Sequence, residues 1–131
     1  MAGTFVDGPM KTIAIIGASA NRMKFGNKAL RSYSANGYRV FPVHPKATEI
    51  EGYLAYRSVL EIPVSLDRIS IYVPPETGIG LLEDIAKKGA SEVWLNPGSG
   101  GPDLVNRARE LGLNVIEGCS ILDIGADPSA Y

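Results

Sequence analysis

The sequence predicts a three-layer α/β domain built on a five-stranded, mainly parallel sheet, and three observations carry that reading. Short aliphatic runs alternate five times with segments of helical periodicity, without repeats or a low-complexity linker. Each aliphatic run breaks off into a turn of small or proline-rich residues, at 17–21, 44–46, 73–75, 96–99 and 118–120. The 131 residues supply one hydrophobic core and leave no room for a second domain.

In chain order, residues 12–16 form a continuous aliphatic run, as expected of a strand buried on both faces. A helix is expected over 27–36, with Leu30 and Tyr33 at helical spacing and Gly37 as its stop. Residues 38–43 make the second strand, and His44-Pro45 forces an extended exit. The stretch 46–57 reads as irregular, with a turn at Gly52. Ser58 and Glu61 then stand at capping-box spacing around one helical turn. The third strand, 68–73, runs into Pro74-Pro75, read as a stiff loop. One helix is expected over 78–88, with Leu81, Leu82, Ile85 and Ala86 inward and Lys87 and Lys88 in its last turn. Residues 92–95 are the fourth strand. Pro102 opens a further helix, with Leu104, Val105, Ala108 and Leu111 on its packed face, and 114–116 are the fifth strand. Right-handed crossovers and a strand order of 3-2-1-4-5 would place the switch point between the first and fourth strands. The domain is assigned to 10–125, residues 1–9 to a disordered arm or leader, and 126–131 to a frayed tail.

The first turn carries the chemistry. Gly17 allows a tight turn, and Ala18 and Ser19 keep side chains short enough for phosphates to approach main-chain N–H groups at a helix N-terminus. A turn that binds nothing has the same outline, so its neighbourhood decides. Ser19 and Arg22 stand where a dinucleotide fingerprint has its second and third glycines, and the second strand ends Phe41-Pro-Val-His-Pro-Lys46 without the acid that binds a ribose diol. No acidic residue lies between Asp7 and Glu49, while Lys11, Arg22, Lys24, Lys28, Arg31, Arg39 and Lys46 supply seven of the 13 Lys and Arg residues. Such a block draws a polyanion to the first turn. The inferred ligand is a nucleotide with a phosphorylated ribose: coenzyme A first, NADP second.

Composition narrows the classes. A net charge of −1 argues against a nucleic-acid binder, and no apolar run approaches the ~20 residues of a membrane span. A single cysteine, Cys119, rules out a disulfide framework and points to a reducing cytoplasm. With one histidine and one cysteine, no structural zinc site is expected.

Ile16-Gly-Ala-Ser19, Lys24-Phe-Gly-Asn27, Gly37-Tyr-Arg-Val-Phe-Pro-Val-His-Pro45, Glu49-Ile-Glu-Gly52, Tyr56-Arg-Ser-Val59, Tyr72-Val-Pro-Pro75 and Gly118-Cys119 together resemble the stand-alone CoA-binding domain proteins. These are Rossmann-like domains similar to the nucleotide-binding part of the succinyl-CoA synthetase alpha subunit, and the resemblance covers about residues 10–124. It implies that Gly17, Ala18 and Ser19 hold the pyrophosphate, with Asn21, Arg22, Lys24, Phe25 and Asn27 nearby. Val43, His44, Pro45 and Lys46 would take the adenosine and its ribose phosphate, and Val73, Pro74 and Pro75 would flank the adenine and pantetheine path. Asn96, Pro97, Gly98, Gly118 and Cys119 complete the expected edge. The family often has Asn in place of His44. The synthetase's phosphorylated histidine belongs to a different domain, which removes ligase activity from what the resemblance implies.

No acid–base pair or nucleophile–base spacing stands out, so no catalytic residue is assigned. Cys119 reads as a small buried filler, or as a thiol within reach of the CoA sulfur. Tyr33, Tyr53, Leu54 and Tyr56 are read as core packing in part and otherwise as a partner-binding face, natural or engineered on a natural scaffold, with an oligomer among the options. The leading expectation is a non-catalytic coenzyme A-binding module. An interaction scaffold using the tyrosine face, and an NADP- or acyl-CoA-using enzyme, are the alternatives.

Overall fold

A computed structural model describes residues 10–131, so the assignment of 1–9 lies outside the described residues. Five parallel strands form the sheet: β1 (Thr12–Ile16), β2 (Arg39–Val43), β5 (Leu66–Ile71), β6 (Ala90–Leu95) and β7 (Val115–Glu117). Between β2 and β5 lies a two-stranded hairpin, β3 (Glu49–Ile50) and β4 (Tyr53–Leu54). The helices are α1 (Phe25–Ala35), α2 (Pro75–Ile79), α3 (Leu82–Lys88), α4 (Pro102–Glu110) and α5 (Ser120–Asp123).

The α/β architecture and five-stranded parallel sheet are as expected, but the strand order is corrected. The order is β2-β1-β5-β6-β7, so the third strand of the sheet lies beside the first instead of outside the second. Two observations explain it. Pro42 has no N–H to give to a neighbour, and proline in a sheet belongs on an edge. Its carbonyl points outward, accepting from Tyr56 N at 2.9 Å. Meanwhile Ile69, Ser70 and Ile71 are fully buried, which an edge strand would not be. The switch point therefore falls between β1 and β5.

Alternation along β1 divides the core. Ile13 and Ile15 pack with Ala29, Leu30 and Tyr33 of α1 and with Ile121 of α5. Ala14 and Ile16 pack on the opposite face with Leu82 and Ile85 of α3 and Leu104 and Ala108 of α4. The chain moves one way across the sheet over the first face and returns over the second, as right-handed crossovers require.

Other elements differ from expectation in detail. The helix placed at 78–88 is two helices, broken at Gly80, and it begins earlier. Pro74 is the N-cap and Pro75 the first residue of α2, so the proline pair starts a helix instead of bracing a loop. Gly78 lets α2 close onto α4, since a Cβ there would meet Leu104 Cδ1 at 3.1 Å. The turn at 58–61 forms as a 3-10 helix, Val59–Glu61, with Ser58 Oγ accepting from Leu60 N. Glu61 caps Arg57 N, one residue before the expected target. Residues 126–131 contain a 3-10 turn, Pro128–Ala130, whose Pro128 carbonyl accepts from Lys28 Nζ at 3.1 Å.

Candidate functional site

The carboxyl ends of β1, β2, β5 and β6 open into one cleft of about 590 Å³. Gly17, the residue after β1, has φ +88, and a Cβ there would lie 3.0 Å from the Tyr72 carbonyl carbon. Only glycine fits this turn. Ala18, Ser19, Lys24 and Phe25 continue the wall, and the α1 N-terminus completes it. No side chain caps that terminus and its first turn has no acid. The main-chain N–H groups of Phe25 and Gly26 have no acceptor among the described residues. Free donors and the positive end of an 11-residue helix make this wall attractive to an anion.

The loop 18–24 is pinned from within. Ser19 Oγ accepts from Asn21 N at 3.0 Å, and Asn21 Oδ1 accepts from Met23 N at 3.0 Å. Asn27 is fully buried, and its Nδ2 donates to the Ser19 carbonyl at 2.8 Å.

His44 and Pro45 form the opposite rim. His44 Nδ1 accepts from Lys46 N at 3.0 Å and Ala47 N at 2.8 Å. The ring thus ties the rim loop together and keeps Nε2 as its remaining donor. Val73 and Pro74 from β5's end, and Pro97 and Gly98 from β6's end, close the far side. An adjoining apolar cavity of about 250 Å³ shares Gly17, Pro45 and Val73 and adds Val43, Thr77 and Leu81.

The expected residues therefore separate into groups. Gly17, Ala18, Ser19, Lys24, Phe25, His44, Pro45, Val73, Pro74, Pro97 and Gly98 line the main cleft, and Val43 lines the apolar cavity. Asn96 and Cys119 border a small cavity of about 110 Å³ that shares Phe25, Tyr72 and Pro97 with the cleft. Pro75 and Gly118 line an adjoining depression that includes Asn96 and shares Pro97 and Gly98 with the cleft. Asn21 and Lys46 are exposed outside these cavities, Asn27 is internal, and Arg22 is paired with Glu51 at 3.2 Å.

Two lining residues escaped the sequence reading. Gly26 packs so tightly that a Cβ on it would stand 2.1 Å from the Gly17 carbonyl oxygen. Tyr72 forms the floor, its hydroxyl bonded to Ser120 Oγ at 3.2 Å. Burial pushes its phenol up to about 12. Both residues sit inside quoted motifs, Lys24-Phe-Gly-Asn27 and Tyr72-Val-Pro-Pro75, but neither is of a type that announces ligand contact.

Beneath the small cavity lies a closed polar network. Asn96 Nδ2 donates to Ser70 Oγ at 2.8 Å and the Ile71 carbonyl at 2.9 Å, and Asn96 Oδ1 accepts from Ser120 N at 2.9 Å. No buried side-chain nitrogen or oxygen among the described residues lacks a partner.

Tyr33 is corrected as a surface residue. It is fully buried on the inner side of α1, donates to the Ser120 carbonyl at 2.8 Å and accepts from Arg68 at 3.0 Å. Tyr53, Leu54 and Tyr56 do share a groove of about 410 Å³ along β2, and Leu54 is 62% exposed. Among the described residues no three metal-ligating side chains cluster, and no helix is long and apolar enough to cross a membrane.

Comparison with known proteins places the chain among relatives of the same fold. The alpha subunit of an ADP-forming acetate–CoA ligase from Pyrococcus furiosus is 32% identical over an alignment of 122 residues that covers 81% of this chain and 26% of the ligase subunit. The chain thus spans about a quarter of that relative's length. A conserved hypothetical protein of the same organism superposes with a TM-score of 0.80 at 32% identity, covering 86% of this chain and 98% of the other. A dinucleotide-forming acetyl-coenzyme A synthetase from Ca. Korarchaeum cryptofilum superposes with a TM-score of 0.70 at 28% identity, over 81% of this chain and 25% of the synthetase. The model of the CoA binding domain matches residues 11–124, and the chain belongs to that family.

Proposed function

We propose that this domain is a coenzyme A-binding module that holds the nucleotide at the carboxyl edge of its sheet and performs no chemistry of its own. The observation that carries this reading is the fit of Gly17 against Gly26, which leaves a side-chain-free turn beside the open donors of α1. Gly17, Ala18 and Ser19 receive the pyrophosphate there. Lys24 and Lys46 supply the cationic surroundings, His44 offers its Nε2 donor from the rim, and the apolar cavity by Val43 and Val73 suits the adenine. The pantetheine arm then runs past Pro74 and Pro97 toward Phe25 and Cys119. Incubation with CoA disulfide tests that last position: Cys119 thiolate displaces one CoA thiolate and gains the mass of the other half.

The deciding experiment is native mass spectrometry of the purified protein, followed by calorimetric titration with CoA and with NADP. Bound or titrated CoA, and its loss in a Gly17→Asp variant that remains folded, supports the reading. A protein that takes NADP and ignores CoA sinks it.

The groove of Tyr53, Leu54 and Tyr56 supports a second reading, a protein contact separate from the cleft. A Leu54→Ser variant with unchanged mass in solution and unchanged partner binding removes it.

A further inference from the structure

Among the described residues, Glu51 is the one non-glycine residue in left-handed backbone, with φ +53. It precedes Gly52, φ +82, in the turn joining β3 to β4, where asparagine or glycine is the usual first choice. A side chain there strains the backbone. The position makes sense through what the carboxylate holds.

Glu51 Oε2 accepts from Asn27 Nδ2 at 2.9 Å and from Arg22 Nε at 3.2 Å, and Oε1 accepts from Arg22 Nη2 at 3.3 Å. The Asn27 Nδ2 that it engages is the same group that donates to the Ser19 carbonyl. Asn27 Oδ1 accepts from Arg31 Nε at 2.6 Å, which fixes which way the amide faces. Arg31 Nη2 also donates to the Arg22 carbonyl at 3.1 Å. Glu51 and Arg31 thus set the Asn27 amide from its two ends, and the amide draws the Ser19 carbonyl toward α1. Because the peptide is planar and trans, the N–H of Ala20 must point the other way, off α1. The hydrogen bond from Asn27 holds the Glu51 carboxyl below its usual range, with Arg22 adding to it, so the group is ionised at neutral pH.

We propose that Glu51 is a positioning residue for the phosphate turn: from the hairpin it orients Asn27, and through Asn27 the Ser19–Ala20 peptide, toward a pyrophosphate-bearing ligand. This rests on the coenzyme A reading. It also explains an acid placed beside an otherwise basic region, a charge that would by itself repel the ligand.

The test uses Glu51→Gly and Glu51→Gln in the full chain, titrated with CoA and with ADP, which carries the pyrophosphate without the pantetheine. Glycine tolerates the φ of this position, so the first variant removes the carboxylate without straining the hairpin. Its affinity for both probes is expected to fall about tenfold, at an unchanged or higher Tm, while Gln, which still accepts from Asn27, stays within about threefold of the parent. The amide resonance of Ala20 in the free protein is expected to move in the glycine variant and much less in the glutamine variant. A glycine variant that binds within about twofold of the parent overturns the proposal, as does equal weakening by both substitutions, which would assign the effect to charge on Arg22. If the parent itself binds neither probe, the coenzyme A reading has failed first, and the Ala20 resonance then decides the positioning role alone.

Discussion

Gly26 faces the carbonyl of Gly17 so closely that a single methyl group on it would sit 2.1 Å from that oxygen. Neither side of this contact is a flexible side chain, so any substitution must move α1 away from the first turn. Gly26→Ala is expected to cost about 1–3 kcal/mol of stability through overpacking. It should also abolish measurable CoA binding, because the α1 donors leave their place. Thermal unfolding and calorimetry read the two effects; parental CoA affinity in Gly26→Ala would contradict this account of the turn.

Asn96 borders a cavity, and its amide is committed to the protein. Its amide joins the Ile71 carbonyl, Ser70 and the Ser120 N–H, three buried partners that alanine would abandon. Asn96→Ala is expected to destabilise by about 2–3 kcal/mol, a fall in Tm of roughly 5–15 °C for a chain of this size. CoA affinity of the folded fraction should change far less. The reverse pattern would restore Asn96 to direct ligand contact.

Arg68 fastens the last helix to the sheet. Its guanidinium pairs with Asp123 at 2.9 Å and Glu92 at 3.1 Å, donates to Tyr33, and lies 5.4 Å from the Trp94 ring centroid. Both acids keep partial contact with water, so the loss in Arg68→Ala is expected near 2 kcal/mol, below that of a fully buried pair. Lysine should not recover it, since one ammonium cannot reach the same partners as a planar fork. Denaturant unfolding of the two variants checks both statements.

Alkaline stability carries the mark of Tyr72 and Tyr33. Burial raises both phenols, Tyr72 to about 12. Above pH 10 the unfolded chain releases protons that the folded protein retains, so the stabilisation is complete below about pH 10 and is lost as pH rises through the folded values. Each group contributes a slope of at most about 1.4 kcal/mol per pH unit. In Tyr72→Phe the decline in stability between pH 10 and 12 is expected to be shallower. An identical pH profile would place the proton release elsewhere.

Much of this was legible in the chain, and the misses have specific causes. The aliphatic run through Ile16 and the glycine after it mark the central strand and the cleft directly, because buried parallel strands and tight turns each demand a narrow set of residues. The strand order was legible too, in Pro42, whose missing N–H excludes it from the middle of a sheet; helical and strand periodicity say nothing about which strand neighbours which. Residues 75–88 have one continuous apolar pattern, and the break at Gly80 follows from tertiary fit, with Gly78 pressed against Leu104. Asn27 has the residue type of a ligand contact but spends both ends of its amide on the protein, Nδ2 on Ser19 and Glu51 and Oδ1 on Arg31. Tyr33 is the opposite case: its place on the same face as Leu30 marked it as core, and the neighbouring tyrosines drew it into the surface reading.

The margin of the sheet has a bearing on how crowded chains behave. By strand alternation, residues 40, 42 and 44 turn their main-chain groups outward from β2. Tyr56 already occupies the Pro42 carbonyl and the His44 N–H, and the proline offers nothing further, so among the described residues of β2 an incoming strand finds free pairing groups only around Val40. The opposite border, β7, is three residues long. A sheet trimmed in this way gives fibril growth little to template on, at either side, even at high concentration.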